Sequence, residues 1–183
     1  MGESKVHKAM EAVVARLVEL DIPHAILGAL ALNAYGYLRA TVDVDILLTR
    51  EGLERFRADA LARGYVEKFP GSRDVRDPER NVDIDIVLAG DYPGDGREKP
   101  VCFPDPATGA VKGATFSLVP LETLIELKVA SGMTAPHRLK DLADVIELIR
   151  VNTLPADYRE RLDPYVRGRF TELWEAAQVS ESE

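Results

Sequence analysis

The sequence predicts a mixed α/β or α+β fold, with a β-sheet core, flanking helices and a helical C-terminal portion. Three observations predict it. Val42, Val44, Ile46 and Leu48 alternate with Asp43 and Asp45, the two-residue period of a half-buried strand. Val82, Ile84, Ile86 and Leu88 alternate in the same way with Asp83 and Asp85. Segments of helical period precede and separate these strands, and after about residue 119 every periodic segment reads as helix.

Each element follows in turn. Val6, Met10, Val13, Val14, Leu17 and Val18 recur at three- and four-residue steps and predict an amphipathic helix over 4–20, ended by Asp21 and Pro23. The apolar run 24–28 stops at Gly28 and reads as a short buried strand. Ala- and Leu-rich 29–37 predicts a helix with Gly36 near its end. The first Asp-bearing strand occupies 42–48, a helix 51–63 and two weaker strands 65–69 and 72–77, before the second Asp-bearing strand at 82–88. Residues 89–114 are rich in Gly and Pro and predict a long loop, a length that usually marks a functional excursion. A short strand at 116–119 and helices at 120–131, 138–150 and 157–178 complete the chain. The expected division is a core over 1–118 and a helical portion over 119–183 packed on it.

Composition narrows the function. The chain has 183 residues, 46% of them hydrophobic and 30% charged, which is globular composition. Its 23 Lys and Arg against 31 Asp and Glu leave a formal charge of −8, which disfavours broad binding to nucleic-acid backbones. A local basic face from Arg138, Lys140, Arg159, Arg161, Arg167 and Arg169 remains open. One cysteine, Cys102, excludes an internal disulfide framework and a thiolate zinc cluster, and the three histidines have no ligand spacing. No window is apolar enough for a membrane span, and no stretch resembles a signal peptide, so a soluble cytoplasmic protein is expected.

The carboxylates carry the chemistry. Side chains two apart on a strand share a face, so Asp43 with Asp45, and Asp83 with Asp85, each project two carboxylates the same way. Like charges about 4 Å apart at low effective dielectric repel by several kcal/mol. A divalent cation relieves this, and carboxylate oxygens suit the hard ions Mg²⁺ or Mn²⁺. Three such carboxylates on neighbouring strands suit a two-metal site for phosphoryl chemistry. The plainer reading is an acidic solvent face on each strand. Gly28-Ala29, at a strand-to-helix turn separated from Asp43 by thirteen residues (30–42), offers backbone N–H groups to a phosphate.

Ile26-Leu27-Gly28-Ala29, then Arg39-Ala40-Thr41-Val42-Asp43-Val44-Asp45-Ile46, then Ile84-Asp85-Ile86, resembles the DNA polymerase β-type nucleotidyltransferase superfamily. Arg39-x-Thr41 ahead of Asp43-x-Asp45, with Lys140-Asp141-x-x-Asp144 in a late helix, is similar to the minimal bacterial branch around the AbiEii-type toxin nucleotidyltransferases. The resemblance covers about residues 24–150 and implies a nucleotidyltransferase-like mixed sheet. It implies that Asp43 and Asp45 ligate metal and that a third carboxylate orients the attacking hydroxyl. Asp85 fits that third place by its following Ile86-Val87-Leu88, with Asp83 as the alternative that spacing alone does not exclude. Where this superfamily commonly carries Ser or Gly, this chain has Ala29, which removes a hydroxyl and keeps the backbone donor.

Further candidates follow from the same resemblance. Lys128 shares a helical stripe with Leu121, Leu124 and Ile125, aimed at the sheet, where it would neutralise a triphosphate; the alternative is an ammonium snorkelling to solvent. Lys140 and Asp144 read either as a helix-surface pair or as nucleotide-binding residues, and Arg39 and Thr41 as orienting the metal strand or touching phosphate. The 89–114 loop reads as a lid or acceptor-binding element, or as a plain excursion. Trp174 reads as packing the last helix. The expected activity is Mg²⁺-dependent transfer of a nucleoside monophosphate from an NTP to an RNA, protein or small-molecule acceptor, with release of pyrophosphate. The alternative is a catalytically silent nucleotide- or partner-binding module of the same fold, including one paired with an antitoxin-like protein.

Overall fold

The computed structural model describes residues 4–179 and divides the chain into two compact units. The first comprises the chain up to Ala31, Arg39–Ala89 and Pro104–Val119; the second comprises Leu32–Leu38, Gly90–Phe103 and the chain from Pro120 onward.

The first unit is built on a mixed seven-stranded sheet. In chain order the strands are β1 (Ala25–Ile26), β2 (Asp43–Leu48), β3 (Val66–Glu67), β4 (Val75–Asp77), β5 (Val82–Leu88), β6 (Val111–Lys112) and β7 (Ser117–Leu118), and they lie in the spatial order β3-β4-β5-β2-β1-β7-β6. β2 and β5 pair in parallel, and β4 and β1 run antiparallel to their outer sides. The apolar face of this central pair, with Val44, Ile46, Leu48, Ile84 and Ile86, is fully buried or nearly so. Burying each such side chain is worth about 1.5–3 kcal/mol. A slip of one residue would bury the aspartates instead, so the hydrophobic period fixes the register and hence the carboxylates.

Two helices cover the sheet. α1 (Lys5–Glu19) starts at Ser4, whose hydroxyl accepts from the His7 amide at 3.1 Å, and packs on β2 and β5 through a stripe containing Met10, Val13 and Leu17. α3 (Arg50–Ala62) starts at Thr49, which accepts from the Gly52 amide at 3.0 Å, and packs against β2 and β3 through Phe56 and Ala60. Between β1 and β2 lies the seven-residue helix α2 (Gly28–Ala34).

The second unit is helical. α5 (Leu121–Thr134), α6 (Leu139–Asn152) and α7 (Pro164–Gln178) pack on one another, with α4 (Pro106–Gly109) lying earlier in the chain, in the first unit. The Asn152 amide ties the end of α6 to the Tyr35 carbonyl at 3.0 Å, and Trp174 donates from Nε1 to the Leu154 carbonyl at 2.8 Å, packing α7 as expected.

Three local expectations are corrected. The helix expected over 157–178 is broken: a 3-10 turn spans Ala156–Arg161, Leu162 is extended, and α7 begins at Pro164 under an Asp163 cap. Proline lacks the N–H that a continuous helix would need and favours a first-turn position. Val42 does not join the buried face of the first Asp-bearing strand; it is 80% exposed, because β2 begins at Asp43. The expected loop 89–114 contains α4 and β6, the latter paired antiparallel with β7.

Candidate active site

Pairing of β2 with β5 sets Asp43 opposite Asp83 and Asp45 opposite Asp85. Neighbouring strands lie about 4.8 Å apart, so four carboxylates occupy two adjacent rungs on one face of the sheet. All four residues are half-buried, between fully buried Val44 and Ile84.

Gly28 closes one side. It has φ +60°, and a Cβ there would stand 2.7 Å from Asp45 Cγ and nearer still to Oδ2. Only glycine lets the β1–α2 turn pass the carboxylate this closely. The turn is held to β2 by the Leu27 amide, which donates to the Asp45 carbonyl at 3.0 Å. Ala29 follows, half-buried in the first turn of α2.

The carboxylates have different partners. Asp43 receives the Thr41 hydroxyl on Oδ1 at 2.6 Å, so Thr41 orients the first acid of β2. Arg39 lies half-buried just upstream. Asp83 receives Arg76 Nε at 2.6 Å, which holds its carboxyl below the usual range, with Lys68 in support against burial. Lys68 Nζ donates to Asp85 Oδ1 at 2.8 Å and lies 3.3 Å from Asp83 Oδ2. Burial pushes the Asp85 carboxyl up, an effect that Lys68 opposes and the charges of Asp74 and Asp43 reinforce. The hydrogen bond to Asp85, more than any other contact, raises the Lys68 ammonium in turn.

Lys68 and Arg76 escaped the sequence reading. Both belong to the β3–β4 hairpin, two weak strands whose pairing with β5 local periodicity does not reveal. Among the described residues, no three His, Cys, Asp or Glu side chains already converge as an ion cage. The donor atoms are nonetheless of the type a hard divalent ion takes. They are all oxygen, they lie on neighbouring rungs, and an ammonium already stands against Asp85 where positive charge is needed.

The second unit holds its own charged cluster. Lys128 on α5 donates to Asp141 Oδ1 at 3.0 Å and Asp144 Oδ2 at 2.7 Å on α6, and the Ser131 hydroxyl donates to Asp141 Oδ2 at 2.7 Å. Lys128 therefore neither snorkels to solvent nor presents an uncompensated charge. Asp144, 3% exposed, meets Lys128, while Lys140 is exposed on the first turn of α6; the expected surface pair of Lys140 with Asp144 gives way to this buried one.

The segment Gly90–Phe103 is pinned within the same unit. Lys99 donates to the Pro93 carbonyl at 2.8 Å and to Asp95 Oδ1 at 2.7 Å, and Gly94 passes so near α5 that a Cβ would lie 2.9 Å from the Ser131 carbonyl. The C-terminal arginines face glutamates: Arg159 and Arg167 meet Glu160, Arg161 meets Glu122 and Arg169 meets Glu172. Three glutamates oppose these four arginines, so most of their charge is offset locally.

Comparison with solved structures finds the same overall architecture in other proteins. The crystal structure of ANT(2″)-Ia in complex with adenylyl-2″-tobramycin matches with a TM-score of 0.59 at 15% identity, over 90% of this chain and 96% of that one. The solution structure of ANT(2″)-Ia matches with a TM-score of 0.58 at 16% identity, over 94% and 96%. A protein of H. pylori assigned as a nucleotidyltransferase matches with a TM-score of 0.51 at 18% identity, over 94% and 91%. No family model and no curated protein sequence matches the chain. The likeness is one of fold, spanning nearly the whole of each chain.

Proposed function

We propose that the chain is a nucleotidyltransferase that moves a nucleoside monophosphate from an NTP to an acceptor hydroxyl and releases pyrophosphate. The observation that carries this reading is the pairing of Asp43-x-Asp45 with Asp83-x-Asp85 across parallel strands, beside a glycine turn that only glycine can make. Asp43, Asp45 and Asp85 would hold Mg²⁺ or Mn²⁺. When bound, such an ion polarises the reacting phosphate and neutralises the charge of the leaving pyrophosphate.

The chain's own groups have separate tasks. Thr41 fixes the Asp43 carboxylate. Arg76 engages Asp83 and Lys68 engages Asp85; the bulkier guanidinium on Asp83 favours Asp85 as the third acid, with Asp83 as the alternative. The acceptor oxygen attacks the α-phosphorus in line with the departing pyrophosphate, its proton passes to a carboxylate oxygen of Asp85, and the bond from α-phosphorus to the bridging oxygen breaks. Gly28 and Ala29 would meet phosphate through backbone N–H groups, with Arg39 as a further contact. In the helical unit, Lys128, Asp141 and Asp144 would set α5 on α6, and Lys140 is proposed as nucleotide-binding on the sequence resemblance alone.

A small-molecule acceptor is favoured over RNA. The largely paired C-terminal arginines and a net charge of −8 offer little to a polyanion, and the structurally similar ANT(2″)-Ia is solved in complex with an adenylylated small molecule, adenylyl-2″-tobramycin. Resemblance of the Arg39-to-Asp45 and Lys140-to-Asp144 runs to toxin nucleotidyltransferases keeps a toxin role, with an antitoxin-like partner, within the proposal; growth arrest on expression, relieved by a neighbouring gene, is its test. For the activity itself, the full chain is incubated with each α-labelled NTP, Mg²⁺ and a whole-cell extract. Label is expected on one acceptor and absent with Asp43→Asn/Asp45→Asn. A metal-plus-NTP rise in Tm that the double variant lacks is the accompanying binding signal. No transfer and no rise would leave the silent module.

A further inference from the structure

We propose that Lys68 is a tethered counter-ion for the third carboxylate, competing with the divalent cation for Asp85 and thereby setting how tightly the metal is held. The inference rests on the nucleotidyltransferase reading of Asp43, Asp45 and Asp85 and adds a residue that no motif of that reading contains.

Lys68 is placed by backbone that belongs to the sheet. It follows β3 directly, and its amide donates to the Asp74 carbonyl at 3.3 Å across the hairpin. Asp74 in turn accepts the Ile86 amide on Oδ1 at 2.8 Å, so the hairpin is stitched to the strand that carries Asp85. Glu67, one residue before, pairs with Arg57 of α3 and anchors the other end. The Lys68 stem thus starts from a fixed point, while its four-carbon chain leaves the ammonium free to shift.

The ammonium has two seats. It lies 2.8 Å from Asp85 Oδ1 and 3.3 Å from Asp83 Oδ2, with the side chain 28% exposed. With Asp43, Asp45 and Asp85 holding a divalent ion, the Lys68 ammonium would give up the nearer seat. Asp83, on the neighbouring rung and already engaged by Arg76 at 2.6 Å, receives it without either charge being stranded. In the metal-free protein the same lysine relieves the repulsion among the aspartates, so the fold does not depend on the ion. By reciprocity, whatever Lys68 contributes to the metal-free site is subtracted from metal affinity.

The test is a Mn²⁺ titration of the full chain without nucleotide, read by the electron paramagnetic resonance of free Mn²⁺, together with Tm. Lys68→Met is expected to bind Mn²⁺ about tenfold more tightly than the parent, to melt lower without metal and to show a larger metal-induced rise. Lys68→Arg should restore near-parental affinity, and Lys68→Met should make no difference in an Asp85→Asn background. A residue that merely supports the hairpin would weaken or leave unchanged the metal affinity when removed. That outcome, with Asp43→Asn/Asp45→Asn still abolishing binding, overturns the role of Lys68 and leaves the enzyme reading intact. Absence of Mn²⁺ binding in parent and variant alike overturns both. Lys68→Gln carries the same comparison should the methionine variant not fold.

Discussion

The two acids on β5 have different cationic partners, Arg76 on Asp83 and Lys68 on Asp85. On the proposed reading, the guanidinium bound to Asp83 at 2.6 Å leaves Asp85, whose lysine partner can shift, as the third acid. Asp85→Asn should therefore lower transfer by about 10²–10³-fold, as loss of a group acting in the transition state does. Asp83→Asn should retain most of the rate; initial rates of pyrophosphate release separate the two, and equal losses would contradict the assignment. Gly28 makes the second residue-scale prediction. Gly28→Ala adds a Cβ where Asp45 already stands and holds an alanine at φ +60°. It should cost about 1–3 kcal/mol in urea unfolding and also remove the metal-induced rise in Tm, a pairing that backbone strain alone would not produce.

At the scale of elements, α5 and α6 are joined by a clasp rather than by apolar contact alone. Lys128 meets two carboxylates that are 6% and 3% exposed, so Lys128→Met leaves both without their cation. Removing one partner of such a buried pair costs about 3–5 kcal/mol, which urea unfolding followed by the fluorescence of Trp174 would register. The clasp also has a pH signature. Burial raises the Asp141 carboxyl, but Lys128, Ser131 and Arg138 together outweigh burial and hold it below the ordinary value. A carboxyl depressed in the folded state contributes stability that is fully present above its unfolded pKa and lost as the pH falls through its folded one. Stability should thus fall below about pH 4, and Asp141→Asn should flatten that limb while lowering the plateau at neutral pH. An unchanged acid limb would show that Asp141 does not carry it.

For the whole molecule, charge bears on the acceptor. The chain carries −8, and its late arginines are largely matched by glutamates within the helical unit. Transfer to a small-molecule hydroxyl should change less than about threefold in KM for the acceptor between roughly 50 and 200 mM salt, whereas a polyanionic acceptor making several phosphate contacts would lose orders of magnitude. Acceptor competition assays across that salt range are the check.

What the amino-acid order determined by itself is whatever depends on near neighbours. Alternation at 42–48 and 82–88 specified two strands with aspartates on one face, the period of residues 5–19 specified α1, and Gly28 marked a turn. Each is a local pattern, because side-chain direction follows from backbone period within a few residues. Tertiary structure decided everything that depends on which segments meet. It set Asp45 beside Asp85, brought Arg76 and Lys68 from a weak hairpin onto β5, and turned Lys128 to Asp141 and Asp144. The physical reason is range: a carboxylate's proton affinity and its partner are set by charges within a few ångströms in space, and the cations hydrogen-bonded to Asp83, Asp144 and Asp85 lie 7, 16 and 17 positions away along the chain.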